Sequence, residues 1–369
     1  MTNENRTWIN LPRRRSFFQW IVALAEVMVV FFFVPQLGQK LYRWTELPFA
    51  DDFLFVADGE PDFVTAIPYA LSYYAATFGL VVMATLLVGI VRRRTSPISY
   101  GLYREPGRFR EVLRLGVFAG AAIYCIPNLL KVIDYYVADI GPGTAFWNLQ
   151  AQVSWGWEYW LFMAVSGFLV IPVIEEFLVR GYLLGRLNEN FLPGEAVIIS
   201  AFLFSSAHLQ YLKPDILSIG SSIGIVLNSM LLGYIVYRTG SILPVMIAHM
   251  IVNLPATPGW KVFGIATAVA CLGCFHRRVS KFVKEWLGMT RQGTDLKTIG
   301  IALVFVFITA RAVTGKLPYA DAWYGVCITL FVCSLLMRST WRNGPREYQY
   351  GFPLGGTARL IRQKDKGLQ

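Results

Sequence analysis

Apolar residues along this chain gather into long runs separated by short polar connections. The runs fall near 17–36, 66–91, 115–133, 159–184, 196–212, 216–237, 241–258, 260–275, 298–315 and 321–337. A helix needs about 20 apolar residues to cross a hydrocarbon core of about 30 Å. The pattern therefore predicts an all-α fold, a polytopic transmembrane helical bundle of about ten spans. Arg13, Arg14 and Arg15 precede the first run in the manner of a signal peptide. That run is too long for a signal-peptide apolar region and lacks a small-x-small cleavage site, so it reads as a retained first span.

Lys and Arg collect in cytoplasmic connections of membrane proteins, and here they set one orientation. Arg13 to Arg15, Arg92 to Arg94, and Arg104, Arg108, Arg110 and Arg114 mark inside ends. After span one, Glu46, Asp51, Asp52, Asp58, Glu60 and Asp62 outnumber Lys40 and Arg43, which marks an outside connection. Arg186, Arg238, the set Arg277, Arg278, Lys281 and Lys284, and finally Arg338, Arg342 and Arg346 continue the alternation. Both termini are expected in the cytoplasm. Residues 279–292, with Phe282, Trp286 and Leu287 among basic residues, have the composition of an amphipathic stretch lying on the membrane surface. The tail from about 340, with the mixed run Arg362 to Lys366, is expected to be poorly ordered. Three parts follow: 1–114 with two spans and a basic loop, 115–275 as the core, and 276–369 with the surface stretch, two further spans and the tail. Gly220 and Gly224 form a GxxxG in span six, a signature of close helix packing.

Composition agrees with the pattern. Only 15% of the chain is charged and 55% is hydrophobic, against about 25% charge in ordinary soluble proteins. A soluble enzyme is excluded. The net charge of +11 reports cytoplasmic Lys and Arg rather than nucleic-acid binding. Cys125, Cys271, Cys274, Cys327 and Cys333 all sit within or beside apolar runs, so a disulfide framework is not expected. The CxxC of Cys271 and Cys274 has no accompanying redox pattern and reads as core or lipid-facing. The expected setting is an integral, multi-pass protein of a bacterial cell membrane.

A charge at mid-span costs roughly 2.5–3.5 kcal/mol on insertion scales, so each one asks for a reason. Glu26 in span one and Arg311 near the end of span nine are isolated in sequence, which points to snorkelling or to pairing with a neighbouring helix. Span four differs, because IPVIEEFLVRGYL carries Glu175, Glu176 and Arg180 within six residues. Residues four apart share a helix face, whereas adjacent ones point about 100° apart. Glu176 is therefore placed to pair with Arg180. Glu175 is directed elsewhere, as a carboxylate in a low-dielectric site suited to taking a proton from water.

Of three histidines, His208 and His249 lie in apolar runs. In FSSAH, Phe204 lies one turn before His208, where its ring can set the imidazole rotamer. In HMIVN, His249 and Asn253 project side by side, and two donors on one face can hold a developing oxyanion in a water-poor cleft. The boundaries above put Glu175 on the cytoplasmic side of the midplane and His208 on the outer side, several Å apart in depth.

The motifs EEFLVR, FSSAH and HMIVN resemble, in order and type, the EExxxR, FxxxH and HxxxN signatures of the CPBP family, the CAAX proteases and bacteriocin-processing proteins, which includes the Ras-converting endoprotease. The resemblance covers about 80 residues, from 175 to 253. It implies an intramembrane peptidase in which Glu175 and His208 activate water while His249 and Asn253 form the oxyanion site, with Glu176, Arg180 and Phe204 in support. It implies no cofactor, and its partners would be the bilayer and a membrane-associated peptide or protein, lipidated or not.

Other readings stay open at this stage. A zinc variant would use Glu175, His208 and His249 as ligands, but there is no HExxH and no spare carboxylate other than Glu176 to act as base. A non-catalytic scaffold or immunity-type protein could retain the polar cluster for structure. A proton-coupled transporter is disfavoured by the lack of an evident inverted repeat.

Overall fold

In a computed structural model of the chain, residues 17–54, 61–91, 100–102, 109–137, 156–188, 190–208, 215–254, 257–292, 295–336, 348–349 and 352–353 are described. The basic clusters at 13–15, 92–94 and 338–346, Arg104, Arg108, Asp58, Glu60 and the run 362–366 lie outside them. Each apolar run read from the sequence is helical over most of its described residues. The helices are α1 (Phe17–Trp44), α2 (Ala50–Leu54), α3 (Phe63–Val91), α4 (Phe109–Tyr136), α5 (Trp157–Asn188), α6 (Pro193–Ala207), α7 (Ile216–Thr239), α8 (Leu243–Val252), α9 (Pro258–Cys274), α10 (His276–Gln292), α11 (Leu296–Val313) and α12 (Ala320–Leu336). Strand among the described residues is confined to a two-residue pair, Tyr348–Gln349 with Phe352–Pro353.

The ten expected runs differ in length as helices. Among the described residues six helices, α1, α3, α4, α5, α7 and α11, are long and apolar enough to cross a membrane, or seven if the bent pair α9 and α10 counts as one. Helices α6, α8 and α12 are shorter, with 15, 10 and 17 residues. The reason is local punctuation that an apolar average does not register. Pro193 and Pro244 start α6 and α8, while His208 and Asn253 cap them. At 1.5 Å per residue α8 reaches only about 15 Å, half a hydrocarbon core.

Helix starts follow side-chain chemistry elsewhere too. Asp215, Thr257 and Asp295 accept backbone N–H bonds at the first turns of α7, α9 and α11. Gly240, at φ 68°, ends α7 in the left-handed conformation. The stretch expected at the membrane surface is α10, which leaves α9 at a bend of 86°. Its Phe282 turns inward to meet the Tyr234 ring edge-on at 4.9 Å, and Tyr234 Oη donates to Glu285 Oε2 at 3.3 Å.

One buried apolar cluster draws on α1, α3, α4, α5, α6, α7, α8, α11 and α12. The last two helices are therefore packed into the same core as the motif-bearing ones. A polar tie crosses this core. Glu26 of α1 is fully buried and accepts from Arg186 Nε at 2.9 Å and Tyr182 Oη at 3.1 Å on α5, and from Ser334 Oγ on α12. Glu26 is thus not isolated, and neighbouring helices satisfy it. Arg186, counted among inward-facing charges in the sequence, is 5% exposed and serves as its partner. Arg311 lies at the end of α11 and donates to the Lys316 carbonyl at 3.3 Å on the exposed side.

Small residues allow α4 and α8 to approach closely. A Cβ at Gly116 of α4 would lie 2.8 Å from the Pro244 carbonyl oxygen and the Ile247 Cβ of α8. One at Gly120 would lie 2.8 Å from the Ile251 Cβ and 3.0 Å from the Ala248 carbonyl oxygen. This GxxxG, unremarked in the sequence reading, seats α8. Gly220 of α7 makes a comparable approach to the Leu130 side chain of α4.

Two stability changes are expected. Glu26→Ala leaves the Arg186 charge buried without its partner and should cost about 3–5 kcal/mol, read as an early unfolding transition in detergent. Gly120→Ala overpacks the contact between α4 and α8 and should cost about 1–3 kcal/mol. An unchanged melt in either variant would contradict the packing described.

Candidate active site

Helix α5 is not uniformly α-helical. Met163–Val170 and Phe177–Leu183 are π-helical and flank the α-helical turn Ile171–Glu176, which carries both glutamates. Such wide turns are common where side chains must be re-aimed. Here they place Glu176 inward, fully buried, and Glu175 at the wall of a cavity of about 1430 Å³ with 17% of its side chain exposed.

Glu176 is the hub. Its Oε1 accepts from Arg180 Nη1 at 2.9 Å and pairs with His249 Nδ1 at 2.7 Å. Its Oε2 is buried with no hydrogen-bond partner among the described residues. The i,i+4 pairing expected from sequence is present, and His249 joins it from α8. Arg180 is 1% exposed, donates from Nη2 to Ser229 Oγ of α7 at 3.0 Å, and lies 4.9 Å over the Phe204 ring. Burying a guanidinium is tolerable only with such partners.

His249 lies between the two carboxylates. With a carboxylate accepting at Nδ1, that nitrogen carries hydrogen, and Nε2 faces Glu175 Oε2 at 3.7 Å. Asn253, just past the last turn of α8, keeps its i,i+4 relation to His249 through its backbone N–H bond to the His249 carbonyl at 3.0 Å. Its Nδ2 donates to the Gly167 carbonyl at 3.1 Å. One hydrogen of the carboxamide is therefore used to tie α8 to the first π-helical segment of α5, and the second remains as a donor.

His208 caps α6 instead of lying within it. Its Nδ1 sits 2.8 Å from the Phe204 carbonyl, and because a carbonyl only accepts, Nδ1 carries the hydrogen. In the neutral ring Nε2 then holds the lone pair. The Phe204 ring meets His208 edge-on at 4.7 Å and His249 at 6.2 Å and 90°. It thus contacts both imidazoles, beyond the single rotamer role expected from spacing.

Glu175 and His208, expected several Å apart in depth, both line the one cavity together with Arg180, Phe204, His249 and Asn253. Helix α6 ends at Ala207, five residues before the apolar run does, and the short α6 and α8 both terminate at this cavity. Irregular backbone at such depth is tolerated where it lines a cavity. The cavity reaches the surface beside Arg43, Asp51 and Asp52, all exposed. Among the described residues no group of three His, Cys, Asp or Glu side chains stands close enough together to hold a metal ion.

Some cavity residues escaped the sequence reading. Ser229 holds Arg180, and Asn128, Lys131 and Lys261 line the same space. The signal for the lysines existed, because both lie inside apolar runs where ionisable groups are costly.

No curated protein and no solved structure gives a significant match to the chain. Residues 156–255 match the family model described as type II CAAX prenyl endopeptidase Rce1-like, a segment that opens just before α5 and closes just after Asn253. The matched segment holds all three motifs and each helix that carries them, so residues 156–255 of this integral membrane protein are similar to the Rce1-like type II CAAX prenyl endopeptidases.

Proposed function

We propose that the protein is an intramembrane endopeptidase that hydrolyses a peptide bond of a membrane-associated substrate, without a metal or other cofactor. One observation carries this reading. Glu175, His208, His249 and Asn253, drawn from three helices, line one cavity, and Glu176 supports the His249 ring from behind.

In this mechanism a water molecule sits between Glu175 and His208 and attacks the scissile carbonyl. Glu175 takes the proton from the water, and His208 Nε2 accepts the second hydrogen bond that orients its lone pair. Charge develops on the carbonyl oxygen. His249, as the imidazolium paired with the Glu176 carboxylate, donates to Glu176 through Nδ1–H and to the oxyanion through Nε2–H, and meets that charge together with the second hydrogen of Asn253 Nδ2. Collapse of the tetrahedral intermediate breaks the C–N bond, and Glu175 passes its proton to the leaving amine. Arg180 and Ser229 keep Glu176 in place. The substrate enters from the bilayer or its surface, and the family description supports a lipidated protein as one such substrate.

The test is cleavage of a panel of membrane-tethered peptides, prenylated and unmodified, by purified protein in detergent. Glu175→Ala and His208→Ala should each abolish cleavage while the thermal melt stays near that of the parent. Asn253→Ala should lower kcat by about 10²–10³, the usual loss for one oxyanion donor. Strong chelators should leave the rate unchanged. Cleavage that persists in both Glu175→Ala and His208→Ala would overturn the assignment. A chelator-sensitive rate restored by Zn²⁺ would overturn the metal-free form.

A further inference from the structure

Only one half of the bundle lines the cavity that holds Glu175. Helix α6 reaches it with its last turn, from Phe204, and with the His208 cap, while α8 reaches it from His249 onward. Helix α5 lines it as far as Arg180, α11 only from Ala310, and α9 only at Lys261 in its first turn. The other halves of these helices are packed solid. Leu183 and Leu187 of α5, Val197 of α6, Val236 of α7 and Val245 of α8 are at most 1% exposed, belong to the apolar core and take no part in the cavity wall. From its start at Pro193, α6 runs eleven residues before Phe204 meets the cavity, a rise of about 16 Å. Side chains therefore close this end of the cavity. The opening beside Arg43, Asp51 and Asp52 lies at the other end.

Charge divides along the same axis. At the closed end α4 begins with Arg110 and Arg114, α10 carries Arg277, Arg278, Lys281 and Lys284, and α11 begins with Lys297, all of them exposed. The acids described there are Glu285 and Asp295, both half-buried, and the buried Glu195. Packing brings these cations to one level, because the Phe118 ring of α4 meets Phe275, at the bend into α10, edge-on at 6.5 Å. Gly116, between Arg114 and Phe118, seats the first turn of α8. At the open end the balance is reversed. Glu46, Asp51, Asp52, Asp62 and Asp321 are exposed there, with Glu158 half-buried, against the cations Lys40, Arg43, Arg311 and Lys316.

Membrane proteins hold their excess of Lys and Arg on the cytoplasmic side. The closed end is then the cytoplasmic one.

We propose that the cavity opens on the non-cytoplasmic face of the membrane, and that its substrate is a peptide segment presented on that face. The proposal rests on the peptidase reading for its substrate, whereas the direction of the opening stands on packing and charge alone. Both the attacking water and the scissile bond come from that side. A lipidated chain meets Glu175 only with its lipid in the outer leaflet, and a chain confined to the cytoplasm is excluded by the packed layer between Leu187 and Arg180.

Sealed right-side-out and inverted vesicles of a bacterial inner membrane carrying the full chain test it. Single cysteines at Asp52→Cys on the mouth, Ile225→Cys in the cavity wall and Lys281→Cys on α10 are introduced after the five native cysteines are replaced by Ala. A small membrane-impermeant thiol reagent should label the first two in right-side-out vesicles and lose that labelling in inverted ones. Lys281→Cys should behave in the opposite way. Labelling of Asp52→Cys and Lys281→Cys from the same side, or of Ile225→Cys from the cytoplasmic side, would overturn the proposal. The parent chain gives a second readout that needs no variant. Lipid-anchored peptides added to sealed vesicles enter the exposed leaflet, so right-side-out vesicles should cleave them directly, and inverted vesicles should show a loss of cleavage that detergent restores. Cleavage by inverted vesicles before detergent is added overturns this inference alone. The expected labelling with no cleavage in either preparation, or in detergent, overturns the peptidase reading alone.

Discussion

A carboxylate with no access to water must find its cations, and Glu176 shows what that demands of its surroundings. One oxygen is shared by Arg180 and His249, so a single acid fixes a guanidinium on its own helix and an imidazole on α8. Arg180 in turn reaches Ser229 on α7 and lies over the Phe204 ring of α6. Four helices are thereby registered to one another by the requirement that one buried charge be neutralised. Glu175, one residue away and turned to the cavity, is aimed by that registration.

The same logic operates a second time, about three turns further along α5. Glu26 gathers Arg186, Tyr182 and Ser334, which joins the first and last helices to the helix of the two glutamates. Helices that lie outside the matched segment thus share its polar frame as well as its apolar core. Between the two ties, α5 is held at both the level of Arg180 and the level of Arg186.

Much of this was legible in the sequence, for reasons that differ by residue. Glu176 and Arg180 are legible because their pairing is a property of one helix, and i,i+4 spacing fixes it whatever surrounds it. Phe204 with His208 and His249 with Asn253 are legible for the same reason. What spacing cannot supply is the contact between helices, so the bond from His249 to Glu176, the tie from Asn253 to Gly167 and the partners of Glu26 emerge only from packing. Helix ends were misjudged where apolar residues continue past a cap, as at Ala207 and Val252. Lys131 and Lys261 carry a signal of the same kind, because the cost of a charge in an apolar run applies to them as fully as to Glu175. Spacing alone does not distinguish Gly116 and Gly120 from Gly220 and Gly224, since a GxxxG does not say which neighbour it receives.

The two π-helical segments of α5 give the glutamates an unusual kind of support. In an α-helix the direction of a side chain follows from sequence distance at 100° per residue; a π-turn takes in extra chain for each revolution and breaks that proportionality. Met163–Val170 and Phe177–Leu183 stand on either side of Glu175 and Glu176, so the phase of this pair relative to Tyr159 before it and Arg186 after it is a matter of how many residues the wide turns contain. The aim of Glu175 is therefore stored in the length of the chain as much as in its composition. Substitution and deletion, often treated as comparable injuries to a helix, act here on different quantities: the first on a contact, the second on the angle from which every contact of the pair is made.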